Sequence, residues 1–167
     1  AFMAANLSLV MDDTDKVQGF YQDAVANGLR VLPPDVNAAE YRFVPVDART
    51  IRYGLGAVKG TGESAIGSIL RARADGGSFV DLFDFCERVD LRLVNKRVIE
   101  SLIKCGAFDS LGARRAQLMA VVDKAMEAAA SAQRDRAHGQ VSLLDVLSMA
   151  GGIPRQRGAL PEVPEWD

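Results

Sequence analysis

Hydrophobic residues along the chain recur mainly at helical spacing. Between residues 14 and 27 the apolar positions fall three or four apart, which is the pattern of an amphipathic helix. The same period recurs over residues 63–74, 80–89, 94–104 and 113–132, and glycines follow several of these segments, where helices commonly end. The pattern therefore predicts a mainly α-helical chain built from these segments.

Two short segments alternate between apolar and polar residues instead. Residues 41–44 and 50–53 both alternate in this way, which is typical of half-buried strands. Polar residues separate the two segments, so together they predict a β-hairpin, and residues 29–32 form a further strand-like piece. The predicted fold class is thus mainly α with a small β-hairpin element.

The last part of the chain carries little periodic pattern. Residues 133–139 are polar and predict a loop, and residues 150–167 contain several glycines and prolines, as a tail or linker does. We therefore divide the chain into an N-terminal region with the β element (1–53), a helical domain (54–132) and a C-terminal segment (133–167).

Charge changes this picture, because it is distributed unevenly. The net charge of −2 argues against a strongly basic nucleic-acid-binding domain. Residues 48–115 nevertheless hold 12 basic and 8 acidic side chains, whereas residues 1–47 hold 3 and 7, and residues 116–167 hold 5 and 7. A basic middle between two acidic ends is the asymmetry expected of a chain that contacts an anionic partner locally.

Several classes of protein are excluded by composition. The apolar run at residues 1–11 is too short to span a membrane and lacks the basic start of a signal peptide. Cys86 and Cys105 are isolated in sequence, and His138 is the single histidine, so we expect neither a metal site nor a disulfide. We expect a cytoplasmic protein without catalytic residues of its own.

A glycine-rich turn precedes the helix predicted at residue 63. Glycines accept unusual backbone angles, and amides at the start of a helix attract anions. The spacing fits neither a P-loop nor a dinucleotide-binding motif. Either this is an ordinary tight turn capped by Thr61 or Ser64, or it is the turn of a helix-hairpin-helix that binds a phosphate through Lys59, Gly60, Thr61, Gly62 and Ser64.

A second turn of this type follows, between the helices predicted at 94–104 and 113–132. Cations crowd around it and outnumber the acidic residues: Arg92, Lys96, Arg97, Lys104, Arg114 and Arg115, with Gly106 in the turn. The alternative is a solvated helix face. Aromatic residues are not interleaved with these charges but lie at core spacings, which favours binding to a duplex backbone over stacking on single strands.

A short peptide near the C-terminus offers a different kind of contact. Gln140 is followed three residues later by the pair Leu143 and Leu144. An amide that anchors by hydrogen bonds and leucines that fill an apolar pocket suit a linear binding peptide. The alternative is a small helix over residues 142–149 that packs back on the domain.

Several runs resemble the alpha subunit family of bacterial DNA polymerase III, in the order and spacing of that family. They are Met11 to Val17, Leu32 to Asn37, Ile51 to Glu63, Leu82 to Cys86 and Asn95 to Asp109. The resemblance implies that residues 1–53 are the end of the fingers region, residues 54–132 a tandem helix-hairpin-helix domain, and residues 133–167 a clamp-binding peptide with its linker. Both ends of the chain would then continue into a longer protein.

The resemblance also implies partners: duplex DNA, a DNA sliding clamp at Gln140, Leu143 and Leu144, and the rest of the polymerase chain. The parent polymerase would use dNTPs and Mg²⁺, but the family's catalytic aspartates lie upstream, so this chain alone would be inactive. Leu144 stands where the family commonly has an aromatic residue, which affects clamp affinity. The alternatives are a free-standing helix-hairpin-helix module of a repair or recombination protein and, less well supported, a phosphate-handling enzyme.

Overall fold

The computed structural model describes residues 1–137 and 160–163. Helices carry most of this part of the chain: α1 (Phe2–Leu9), α2 (Thr14–Ala26), α3 (Glu63–Gly76), α4 (Leu82–Arg88), α5 (Lys96–Lys104) and α6 (Arg115–Ala137). Two 3-10 turns, Leu55–Ala57 and Asp109–Leu111, precede α3 and α6 respectively. The prediction of a mainly helical fold is confirmed.

Three short strands form a small mixed sheet: β1 (Arg30–Leu32), β2 (Val44–Pro45) and β3 (Thr50–Arg52). β3 lies in the middle, parallel to β1 with Ile51 opposite Val31, and antiparallel to β2. The predicted hairpin is therefore present between β2 and β3, but its first strand is shorter than expected and a third strand joins it. Tyr41 and Phe43 pack into the hydrophobic core instead of extending β2.

Side-chain caps explain where several helices begin. An Asp or Asn side chain accepts a hydrogen bond from the backbone N–H three residues later at α2, α4 and α5, at distances of 3.2, 2.8 and 3.1 Å; the caps are Asp13, Asp81 and Asn95. Such caps satisfy an N–H group that has no partner inside the helix. These helix starts are readable from sequence because the caps are local.

The first helix, α1, lies in the apolar run that showed no amphipathic period. Its position depends on Ser8, whose hydroxyl donates to the carbonyl oxygen of Ala4 at 2.8 Å and accepts from the backbone N–H of Phe43 at 3.1 Å. Because Phe43 lies 35 residues away, this contact belongs to the tertiary structure and has no signal in the local pattern.

The last helix, α6, is longer than the sequence predicted. Residues 133–137 continue it, so the prediction of a loop there is wrong for these residues. Gln133 donates to the carbonyl oxygens of Glu87 and Val89 at 3.2 and 3.1 Å, at the C-terminal end of α4. Those carbonyls would otherwise lack a helical partner, and this contact stabilises the polar last turns of α6.

Buried side chains form two groups. The larger joins α3, α4, α5 and α6, and its fully buried members include Leu55, Ile66, Ile69, Phe85, Ile99, Leu102, Phe108 and Leu118. The smaller lies between α1, α2 and the sheet. Tyr41 and Tyr53 pack against both groups. The domain boundaries at residues 53 and 132 stay a prediction.

Candidate nucleic-acid interface

The segment that leads into the first glycine turn lies tightly against residues 41–43. The backbone N–H of Gly56 donates to the carbonyl oxygen of Tyr41 at 2.9 Å. A Cβ atom on Gly54 would lie 2.6 Å from the carbonyl carbon of Arg42, and one on Gly56 would lie 2.6 Å from the ring of Tyr41. Glycine is needed at both positions because no side chain fits there.

The first hairpin is the turn formed by residues 58–62. Gly60 has a φ of 89°, in the region that favours glycine. Thr61 does not cap α3, because its hydroxyl donates to the carbonyl oxygen of Val58 at 2.7 Å. Gly62 occupies the cap position and supplies no side chain, and Ser64 lies inside the helix. The first amides of α3 therefore keep their partial positive charge.

The second hairpin, residues 105–114, joins α5 to α6 and is held by an ion pair. The Arg115 guanidinium donates to both carboxylate oxygens of Asp109, at 3.0 and 2.6 Å, and to the carbonyl oxygen of Lys104 at 3.2 Å. Gly106 has a φ of 84°, and a Cβ there would collide with the Arg115 guanidinium. Arg115 thus links the end of α5 to the start of α6.

The first hairpin lies beside α5, the helix that leads into the second hairpin. A Cβ on Gly60 would lie 2.9 Å from the Ser101 hydroxyl oxygen, so the first hairpin approaches the middle of α5 closely. Arg97 and Lys104 are exposed and lie one helical turn on either side of Ser101, on the same face. Lys59 adjoins Gly60 in the sequence. The structure therefore brings together cations that lie 38 or more residues apart in the chain.

Some of the predicted cations are already neutralised by carboxylates. Lys96 on α5 lies 2.8 Å from a carboxylate oxygen of Asp123 on α6, and the hydrogen bond to Asp123 raises the pKa of Lys96. Arg92 pairs with Asp90 at 2.8 Å. With Arg115 bound to the second hairpin, half of the cation cluster predicted around that hairpin takes part in ion pairs inside the protein.

The other predicted cations are free within the described structure. Among residues 1–137 and 160–163, four of them are exposed and their side chains form neither an ion pair nor a hydrogen bond: Lys59, Arg97, Lys104 and Arg114. An unpaired cation at the surface can neutralise a phosphate without first breaking an internal contact. Which of the predicted residues contact DNA stays a prediction.

Two arginines of the basic middle have structural roles that the sequence analysis missed. Arg88 donates to the carbonyl oxygen of Gly77 at 2.7 Å and lies 4.5 Å from the centre of the Phe79 ring. Arg73 donates to the carbonyl oxygen of Ala39 at 2.6 Å. For Arg88, the sequence signal that could have indicated this role is the acidic residue four positions earlier, Asp84, with which it forms an ion pair. Both arginines connect segments distant in sequence and are poor candidates for phosphate contacts.

Further predictions from the sequence concern a clamp-binding peptide, the two cysteines and the absence of metal sites and membrane-spanning segments. Gln140, Leu143 and Leu144 lie outside the described residues.

Burial raises the pKa of the Cys86 thiol to about 12, so this group stays protonated and unreactive. In the part of the chain that the structure describes, no three His, Cys, Asp or Glu side chains come together as metal ligands, and no helix has the length and apolar character to cross a membrane.

Residues 28–118 match the family model of the helix-hairpin-helix motif, and this span contains both hairpins. The chain belongs to the helix-hairpin-helix family. The fold class predicted from sequence is thereby confirmed.

Similar proteins with curated names agree with the resemblance seen in the sequence. DNA polymerase III subunit alpha of Vibrio cholerae is 50% identical over 99% of this chain, and that of Neisseria meningitidis serogroup B is 52% identical over 75%. The Escherichia coli K12 subunit is 45% identical over 88% of the chain. The chain spans only 14, 11 and 13% of these three relatives. The resemblance to polymerase III alpha subunits is confirmed.

Proposed function

We propose that this chain is part of a replicative DNA polymerase and holds duplex DNA by its phosphate backbone without reading the base sequence. The observation that carries the proposal is the position of four unpaired, exposed cations around two hairpins of the helix-hairpin-helix family: Lys59, Arg97, Lys104 and Arg114. The relatives support the first part, because they are named DNA polymerase III subunit alpha and are similar along most of this chain.

The chemistry of the surface favours contact with phosphates. Backbone amides at the start of α3 and flexible cationic side chains neutralise charge but distinguish no bases. The net charge of −2 keeps the overall attraction to DNA weak. A weak hold that is independent of sequence suits a protein that must move along its template while synthesis proceeds.

A salt titration tests this proposal. We expect the chain to bind a short duplex of mixed sequence, with log affinity falling against log salt by about 0.9 for each phosphate neutralised. Replacing Gly60 and Gly62 together with Val should weaken binding while the helical circular dichroism signal is mostly retained. Affinity that does not depend on salt, or binding unaffected by the two valines, would contradict the proposal.

We also propose that residues 140–144 bind a DNA sliding clamp. The support is the sequence itself, with an amide at Gln140 and apolar side chains at Leu143 and Leu144 in the position where the resembling family carries such a peptide. Changing Gln140→Ala with Leu143→Ala should reduce binding to a clamp but leave duplex affinity unchanged. Clamp binding that survives both changes would overturn this part.

DNA-templated synthesis itself is proposed for the longer polymerase. That reaction needs dNTPs and Mg²⁺, and no described group of side chains here suits a metal ion, so no step of it is assigned to these residues. A free-standing repair module is less well supported, because the named relatives similar along nearly the whole chain are polymerase subunits. We expect no primer extension by the isolated chain, and nucleotide incorporation by it would contradict this assignment.

A further inference from the structure

The junction between the first hairpin and α5 combines close packing with unpaired charge. Gly60 approaches Ser101 so closely that an added Cβ would lie 2.9 Å from its hydroxyl oxygen. That hydroxyl donates to the carbonyl oxygen of Arg97 at 2.9 Å, which fixes the direction of the Ser101 side chain. The small Ser101 side chain therefore leaves just enough room for the first hairpin beside the middle of α5.

The two faces of α5 are used differently. Its apolar residues are buried in the larger core: Val98, Ile99, Leu102 and Ile103. Arg97, Ser101 and Lys104 are spaced four and three residues apart on the other side, so their side chains form one row along the helix. Seven residues of helix rise about 10 Å, a length comparable to a few neighbouring phosphates on one strand.

Carboxylates close to this row have partners elsewhere. Glu100 and Asp123 both lie within 4 Å of the ammonium group of Lys96, at 3.9 and 2.8 Å. Asp109 in the second hairpin is bound by Arg115. The cations of the row are left without a counter-charge among the described residues, which favours an anionic ligand outside the protein.

We propose that Lys59, Arg97 and Lys104 form one junction strip that binds a continuous stretch of the backbone of duplex DNA, with Ser101 as the small residue that leaves room for the first hairpin beside α5. This inference rests on the proposed function and deepens it. It places phosphate contacts on the outer face of a helix, in addition to the hairpin turns, and makes the two motifs a single binding surface.

The first experiment removes the two unpaired cations of α5. The double variant Arg97→Gln with Lys104→Gln should bind a mixed-sequence duplex roughly tenfold more weakly and reduce the steepness of the log–log salt dependence by about two. The matched control, Arg30→Gln with Arg49→Gln, removes two exposed arginines beside the small sheet and should leave the slope unchanged. If log affinity falls against log salt with equal slopes for the wild-type chain and the α5 variant, the proposed junction strip is wrong.

The second experiment separates the hairpin from α5 without changing any charge. Ser101→Leu places a bulky side chain against Gly60 and should weaken duplex binding several-fold with a shallower salt slope, whereas Ser101→Ala should bind as the wild type does. Circular dichroism checks that both variants stay folded. Wild-type binding by Ser101→Leu would show that the close approach of the hairpin to α5 is not needed, and would overturn this part of the proposal.

The two proposals fail in different ways. If the unmodified chain does not bind duplex DNA at low salt, the proposed function itself is wrong. If it binds, and the α5 variant binds with the same affinity and slope, the hairpins hold DNA without the strip and only the further inference fails.

Discussion

The two hairpins are built from similar glycine turns but are held in place differently. The first hairpin is positioned by the backbone, since Gly54 and Gly56 lie against residues 41–43 with no room for a side chain. The second is positioned by side chains, through the ion pair between Arg115 and Asp109. Both turns contain a glycine with positive φ, Gly60 in the first and Gly106 directly after α5 in the second.

This difference shows what each motif leaves available for a ligand. A turn fixed by backbone contacts keeps Lys59 free, because no cation is needed to hold it. A turn fixed by an ion pair uses one of its own cations, Arg115, and leaves Arg114 beside it exposed. We therefore expect the neighbouring arginines to have different roles: Arg115 in stability and, under the proposed function, Arg114 in binding.

The largest expected effect concerns the backbone contact of the first motif. Gly54→Ala would place a Cβ 2.6 to 2.8 Å from main-chain atoms of residues 41–43, which cannot move aside as a flexible side chain can. We expect the free energy of unfolding to fall by about 3 kcal/mol, measured by urea denaturation.

Gly62→Ala is the matched control in the same motif. Nothing lies within 4 Å of a Cβ at Gly62, and its φ of −104° suits any residue. The cost should be about 1 kcal/mol or less, from the loss of glycine at a cap position. Equal losses at Gly54 and Gly62 would mean that the close approach to residues 41–43 does not position the hairpin.

Smaller effects are expected at the positive-φ glycines of the two turns, Gly60 and Gly106. Gly60→Ala should cost about 1 kcal/mol, because alanine is strained at positive φ and its Cβ would press on the Ser101 hydroxyl but on no ion pair. Gly106→Ala should cost about 2 kcal/mol, since its Cβ would also displace the Arg115 guanidinium.

A double-mutant cycle sharpens this comparison. In an Arg115→Ala background, the cost of Gly106→Ala should fall to that of Gly60→Ala, because the ion pair is already lost. If urea denaturation shows that the losses in free energy of unfolding for Gly106→Ala and Arg115→Ala simply add, the second turn does not depend on Arg115.

The smallest effects on the free energy of unfolding are expected at Arg115 and Arg114, the two neighbouring arginines of the second motif. Arg115→Ala should lower the free energy of unfolding by about 1 kcal/mol, as expected for a half-exposed ion pair with one further hydrogen bond, and leave the salt dependence of duplex binding unchanged. Thermal or urea denaturation and duplex titrations measure the two quantities.

Arg114→Ala should show the reverse. Its side chain has no partner in the described structure, so stability should change by no more than about 0.5 kcal/mol, while the salt slope should become shallower by about one. If the two variants behave alike, the division between a stabilising and a binding arginine is wrong.

Much of the helical fold was predictable because its signals are local. Apolar spacing and the caps Asp13, Asp81 and Asn95 depend only on residues within one or two turns. The position of α1 and the end of α6 were not predictable, since they depend on contacts of Ser8 with Phe43 and of Gln133 with the end of α4. The shortened β2 has the same cause, because Tyr41 and Phe43 pack into the core.

The candidate site, too, was predictable only in part from the sequence. The glycine turns and the excess of positive charge in residues 48–115 are properties of the sequence alone, and they predicted a helix-hairpin-helix as one of two interpretations, the other being an ordinary tight turn beside a solvated helix face. Which cations are free was decided by the tertiary structure. Lys96 forms a hydrogen bond with Asp123, which lies 27 residues away in the sequence. Gly60 packs against Ser101, which lies 41 residues away. Ion pairing depends on separations of a few ångströms, and only the folded chain sets those.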